Sequence, residues 1–265
     1  MNPLLSSLSN PKIKYLLSLE KARERKKSGQ FVIEGLRELT LAKESKYAIT
    51  QVFYCPDIIG EADLLATGLS NRELLPVHQS IFNKLAYRET TGGVVAIAEQ
   101  KENKLKGLKL RANPMILIVE SVEKPGNLGA LLRTADAAGL DAVISCDPKT
   151  DFYNPNTIRS SLGCVFTNQI ATATSQEAIE WLKSHQLKIF CTYLEASIPY
   201  SLADFTQPCA IVMGSEADGL TDIWIENADA NIIIPMKGKI DSMNVSVSAA
   251  IVVFEALRQR ALVSS

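Results

Sequence analysis

Three polar stretches, each following an apolar run, hold the residue types that could do chemistry: EKPGNLG (Glu123–Gly129), GSEADGL (Gly214–Leu220) and KGKIDSMN (Lys237–Asn244). The first places Gly126 and Gly129 around Asn127, at the start of a helix that carries Arg133. Free backbone N–H groups at such a helix start make a ready site for an anion. The second stretch sets Glu216 between Gly214 and Gly219. The third puts Ser242 and Asn244 where a helix begins, as capping residues do. Polar loops leaving separate strands of one sheet can meet at its edge and build a site there. Plainer readings stay open for the same residues: a surface salt bridge at Arg133, a surface carboxylate at Glu216, and a final βα unit with no ligand at all. Gly126 and Gly129 make only G-x-x-G, short of the dinucleotide fingerprint, and no P-loop lysine motif is present.

The elements that must position these residues read as an α/β pattern. MILIVESV (Met115–Val122) is a continuous apolar strand of the kind buried in parallel sheets. The Arg133 helix ends at Gly139, and DAVISC is the next strand. Asn154-Pro155 starts a turn and a short helix with Arg159 and Ser161. Ser175–His185 is a helix, LKIFCTYL a strand, and PCAIVM the strand that opens into the Glu216 loop. Ile232–Ile234 is a short strand cut off by Pro235, which cannot donate to a ladder. Val245–Leu257 is apolar almost all round, as in a helix buried on several sides. Ahead of all this lies a second α/β group. It has a basic amphipathic helix over Lys12–Lys27, a strand Phe31–Gly35, a helix Leu36–Lys46, a strand Ile49–Cys55 and a closing strand Gly92–Gln100. The charged link KENKLK (Lys101–Lys106) separates the groups, so a boundary is expected near Leu105–Leu110, with domains at 1–106 and 107–265.

Charge divides along the same line. Residues 1–106 hold 16 Lys and Arg against 12 Asp and Glu, whereas residues 107–265 hold 12 against 17. A basic excess at one end points to a polyanion as partner or to a solvated face. The five cysteines (Cys55, Cys146, Cys164, Cys191 and Cys209) form no CxxC pair and no metal-ligand spacing with the two histidines. No metal is expected, and Cys146, Cys191 and Cys209 read as buried reduced thiols. The start lacks a signal-peptide pattern, and no apolar run nears the roughly 18 residues that span a bilayer. A cytosolic protein without membrane contact is expected.

The wording of the three polar stretches carries a resemblance. N-L-G-A-L-L-R-T-A from Asn127, G-S-E-A-D-G-L from Gly214, and IPMKG with DSMNVSVSAA resemble, in order, the motifs of the SpoU-type (TrmH) RNA ribose methyltransferases of the SPOUT superfamily. Ala217-Asp218 replaces that family's commoner Gly-Glu pair. Arg159, Ser161, Gly163 and Phe166 are similar to its R-x-S-x-G-x-x-F segment, for which helix packing and RNA contact both stay open. The resemblance implies a knotted parallel-sheet catalytic domain behind a small L30e-like RNA-binding domain. It implies methyl transfer from S-adenosylmethionine to a ribose 2′-hydroxyl in RNA, ribosomal in preference to transfer RNA, by a homodimer. It implies Arg133, Asn127, Glu216, Ser242 and Asn244 as catalytic residues, with Glu216 holding Arg133 or its loop. Met213, Gly214, Gly219, Ile234, Met236, Met243 and Asn244 would bind the cofactor. Lys21, Arg23, Arg25, Lys26, Lys27, Arg37 and Arg159 would contact RNA. Other classes are a catalytically silent RNA-binding protein of the same fold and an unrelated nucleotide-dependent enzyme. The intact polar residues speak against the first and the missing phosphate-loop motifs against the second.

Overall fold

The computed structural model describes residues 2–71, 73–86, 92–196 and 198–263. In chain order it opens with α1 (Pro11–Ser18), α2 (Ala22–Ser28), β1 (Gln30–Glu34), α3 (Leu36–Glu44), β2 (Ile49–Tyr54), α4 (Glu61–Ala66), β3 (Leu74–Pro76), α5 (Gln79–Leu85) and β4 (Val94–Glu99). Then come β5 (Met115–Glu120), α6 (Pro125–Ala138), β6 (Ala142–Cys146), α7 (Pro155–Ser160), α8 (Cys164–Thr167), β7 (Ile170–Ala173), α9 (Ser175–Ser184) and β8 (Lys188–Thr192). The chain continues through β9 (Ile198–Pro199), β10 (Cys209–Met213), α10 (Asp222–Asn227), β11 (Ala230–Ile233) and α11 (Val245–Val263). These elements form two compact units: Met1–Lys101 with Tyr153–Thr167, and Glu102–Phe152 with Asn168–Ser265. Among the described residues no helix is long and apolar enough to cross a membrane.

The first unit holds a four-stranded sheet in the order β1-β4-β2-β3. The helix expected over Lys12–Lys27 is two helices, because the chain turns inward between them to bury Leu19. Arg25 spans that break. Its guanidinium Nη1 donates to the carbonyls of Leu19, at 2.9 Å, and Glu20, at 2.7 Å, and the side chain is 1 % exposed. Gly29 then ends α2 in the left-handed conformation, φ 67°, which a residue without Cβ adopts freely. The segment 153–167, expected in the second domain, belongs to this first unit instead. The reason is aromatic. Tyr153 lies 4.5 Å from Phe31 between ring centroids, and Phe166 lies 5.1 Å from Tyr47. Burying four large rings removes far more apolar area from water than a surface helix would.

In the second unit seven parallel strands run in the order β7-β6-β5-β10-β8-β11-β9. The central strands are buried on both faces: every residue of β5, β6 and β10 is buried. Cys146, Cys191 and Cys209 lie in these strands as buried free thiols, and burial pushes Cys191 up to about 12. Arg260, near the end of α11, donates to the carbonyls of Asn113, Pro114, Phe205 and Gln207 and so ties the helix to the entries of β5 and β10. At the entry of β6, Asp141 is 5 % exposed and accepts from the Arg111 guanidinium and the backbone N–H groups of Arg111 and Met115. Burial alone would push its carboxyl up. The Arg111 hydrogen bonds and the two backbone donors outweigh that and hold it below the ordinary 3.8.

A depressed carboxyl stabilises the folded state above its unfolded value, and the gain disappears as pH falls through the folded value. Asp141→Asn should therefore cost about 1.5–3 kcal/mol at neutral pH. The gap to the wild type should close progressively below pH 3.8. Urea melts at a series of pH values measure it, and a gap independent of pH down to the acid transition would rule out the charge as its source.

Candidate active site

The strand order reverses beside β5. From there the chain builds outward through β6 and β7, returns on the far side with β8, and later inserts β10 between β5 and β8. Loops leaving β5 and β10 at their carboxyl ends therefore diverge from adjacent strands, the place where parallel sheets hold ligands. The loop after β5 enters α6, whose first turn carries Asn127. The loop after β10 closes on itself: Ser215 N–H donates to Gly219 O at 2.9 Å and Gly219 N–H returns to Ser215 O at 3.2 Å. Gly219 is left-handed at φ 69°, and a Cβ on Gly214 would collide with the Gly219–Leu220 backbone. Gly214 is thus required by the chain's own close approach, and this turn aims Glu216 outward.

Three of the five candidate catalytic side chains meet. Asn244 is the N-cap of α11: its Oδ1 accepts from Ser246 N–H at 3.0 Å and Ser246 Oγ at 2.6 Å. The cap forces its amide NH2 the other way, where it donates to Asn127 Oδ1 at 3.1 Å. Asn127 then donates its own NH2 to Glu216 Oε1. Each amide has one allowed orientation, so helix cap, first loop and second loop are joined in a single directed chain. Glu216 therefore holds Asn127, not Arg133. Arg133 is exposed on α6 and has no hydrogen-bond or ion-pair partner among the described residues. Ser242 is exposed and turns to Asp241 Oδ1 at 3.3 Å, apart from the three.

Of the candidate cofactor residues, Met213 ends β10 and is 2 % exposed, with Thr192 Oγ1 3.6 Å from its sulfur. Ile234, Met236 and Met243 are half-buried on the segment from β11 to the Asn244 cap. Half-buried apolar side chains beside amide and carboxylate groups fit a ligand that is part aromatic and part polar. Lys149, after β6, bonds Glu123 Oε1 at 2.6 Å. That hydrogen bond holds the exposed Glu123 carboxyl below its usual range and raises Lys149, on which Asp218 and Glu216 pull more weakly.

Among the candidate RNA contacts, Lys21, Arg23, Lys26, Lys27 and Arg37 are exposed. Arg25 is not available, since its guanidinium is spent on the α1–α2 break. Arg159 is not a free cation either: it pairs with Glu34 at 3.3 Å, both side chains being nearly buried at 13 % and 12 % exposure. Two groups at the carboxyl edge escaped the sequence reading. Glu120, the last residue of β5, is buried, and Thr221 lies against it. The signal was present, because Glu120 is the one charge in MILIVE.

Fold and site define an α/β protein that assembles its functional groups at the carboxyl edge of a parallel sheet. The profile of the SpoU rRNA Methylase family matches residues 114–254, and that of the MRM3-like substrate binding domain matches residues 10–96. The chain belongs to the SpoU rRNA methylase family. It is 30% identical over 250 residues to the 23S rRNA (guanosine(2553)-2'-O)-methyltransferase RlmP of Bacillus subtilis (strain 168), covering 94% of this chain and 97% of that one. The crystal structure of an RNA 2'-O ribose methyltransferase superposes with a TM-score of 0.84 at 37% identity, covering 98% of this chain and 100% of that one. An AdoMet-bound rRNA methyltransferase from Sinorhizobium meliloti superposes with a TM-score of 0.88 at 29% identity, covering 97% of each.

Substitutions at Asn244 separate its two bonds. Asn244→Ala should cost about 1 kcal/mol through loss of the α11 cap. Asn244→Ser should restore most of that stability, since serine caps as well, but cannot reach Asn127. Thermal melts read the first effect. Ligand affinity at the carboxyl edge reads the second, and should remain weakened in both variants. Recovery of affinity with Asn244→Ser would mean the Asn127 bond is dispensable.

Proposed function

We propose that this chain transfers a methyl group from S-adenosylmethionine to a ribose 2′-hydroxyl of ribosomal RNA. The observation that carries the reading is the directed chain from Asn244 through Asn127 to Glu216, which unites all three polar stretches in a protein similar to RlmP over 94% of its length. The cofactor supplies an electrophilic methyl on a sulfonium, so the protein's work is to align an in-line attack and manage the hydroxyl proton. Met213, Ile234, Met236 and Met243 supply the apolar wall, with the backbone at Gly214 and Gly219 beside it. Asn127 and Asn244 present amides in fixed orientation to ribose and cofactor, with Ser242 on the loop that leads into the Asn244 cap. Arg133 stabilises the developing alkoxide and the adjacent phosphate; guanidinium groups stay protonated in proteins, so the proton leaves to a neighbour or to water. Lys21, Arg23, Lys26, Lys27 and Arg37 provide phosphate contacts in the substrate-binding unit.

We also read the protein as a homodimer with a knotted catalytic unit. Supporting the dimer, α11 leaves Val247 and Phe254 about half exposed seven residues apart, on one side of the helix. Supporting the knot, α11 returns from β11 past β8 to lie on α6 and β10. The direct test of function is to map 2′-O-methyl positions in ribosomal RNA from cells with and without the protein. Methylation unchanged at every position would refute it.

Arg133→Ala should lower methyl transfer roughly 100-fold or more with little change in cofactor affinity. If Arg133 of one protomer serves the site holding Asn244 of the other, co-expressed Arg133→Ala and Asn244→Ala chains should complement. Random mixing leaves about half the dimers mixed, each with one intact site. Confirmed mixed dimers without activity would place both residues in one chain's site. Separately, replacing Lys21, Arg23, Lys26 and Lys27 by Ala should weaken RNA binding and flatten its salt dependence, because fewer counterions are released. An unchanged salt slope would return these side chains to a merely solvated face.

A further inference from the structure

Glu120 ends β5 with 2 % exposure and takes no part in the chemistry above. Thr221 closes on it with two donors, its N–H at 2.8 Å to Oε2 and its Oγ1 at 2.6 Å to Oε1, while Ser175 Oγ lies 3.0 Å from Oε1 with its one proton shared with Asp147 Oδ2 at 2.6 Å. Ser175 Oγ in turn accepts from the indole Nε1 of the fully buried Trp224 at 2.9 Å. Among the described residues no Lys or Arg pairs with Glu120. A carboxylate buried on neutral donors alone is costly, and an apolar residue would continue the strand MILIV without that cost. What it provides is direction, since the N–H and hydroxyl of one threonine are both fixed on it.

The direction concerns the Glu216 loop. Thr221 is the N-cap of α10, yet its hydroxyl makes no capping bond and is turned onto Glu120. The loop Gly214–Leu220 thus hangs between the end of β10 and a threonine held by β5. The Ser215–Gly219 bonds and the tight approach of Gly214 to the Gly219–Leu220 backbone make it stiff. A shift at Thr221 would therefore move Glu216 as part of a rigid hairpin, and pull on Asn127 with it.

We propose that Glu120 is a positioning residue for methyl transfer: through Thr221 it sets the angle of the Gly214–Leu220 hairpin and so the cofactor-facing edge. The proposal rests on the function proposed above. The test uses the full chain with Glu120→Gln, Thr221→Val and the two combined. S-adenosylmethionine affinity is measured by calorimetry, ribosomal RNA affinity by filter binding, and stability by melting. Glu120→Gln should weaken S-adenosylmethionine binding about tenfold, as loss of a charged acceptor does. Thr221→Val, which loses the hydroxyl bond and keeps the backbone one, should weaken it several-fold, and the double variant no more than Glu120→Gln alone, since both act on one connection. RNA affinity should stay within about twofold of the wild type. Melting temperatures that fall while cofactor affinity, read well below them, stays unchanged would overturn the proposal, as would fully additive effects. If Glu120→Gln does not fold, Thr221→Val decides: weakened cofactor binding supports the proposal and unchanged binding overturns it. A wild-type chain that binds no S-adenosylmethionine would overturn the proposed function itself, and this proposal with it.

Discussion

The hydrogen bond between Asn244 and Asn127 is the constraint on which the rest of the carboxyl edge depends. It joins the first turn of α6 to the cap of α11, two helices that also lie against each other. Because the cap claims Asn244 Oδ1, the amide can face Asn127 in one way only, and the orientation is passed on to Glu216. Segments far apart in sequence are thereby given one geometry by side chains that each use both ends of an amide. Such amides have little freedom to adapt, which suits a surface meant to hold reactants in register.

Much of this was legible in the residues. Long apolar strands bounded by glycine or proline announce a parallel sheet, and the three motif stretches mark its carboxyl edge. What could not be read was which polar groups face each other. Ser242 and Asn244 share a loop and look interchangeable, but only Asn244 falls at the cap. Arg133 and Glu216 look like a natural pair, yet Glu216 is taken by a neutral amide. Sequence spacing conveys the face of a helix and not the partner across a loop.

Arginine was the least legible residue type. Arg25 and Arg159 lie in basic or motif-like surroundings and read as nucleic-acid contacts, but each is committed inside the first unit, Arg25 to carbonyls and Arg159 to Glu34. Arg260, with no motif around it, gathers four carbonyls at the entries of two core strands. A guanidinium presents five donors in a rigid fork, so it serves a chain break as well as it serves a phosphate. Composition counts the charge and is blind to where it is spent. The lysines of α2 are exposed, as expected for compact, strongly hydrated ammonium groups.

The passage of Tyr153–Thr167 through the first unit bears on how this chain can be divided. A fragment cut at Lys101 would carry the four-stranded sheet intact but lack Tyr153 and Phe166, leaving Phe31 and Tyr47 without the rings that cover them. A fragment starting at Glu102 would carry those same rings with nothing to receive them. Each half then exposes rings that the intact chain buries, although each has its own sheet. Gene fusions, domain exchanges and truncations that treat residue 101 as a seam separate these rings from one another. Exchanging the insert between β6 and β7 along with the N-terminal segment is the division that respects the fold.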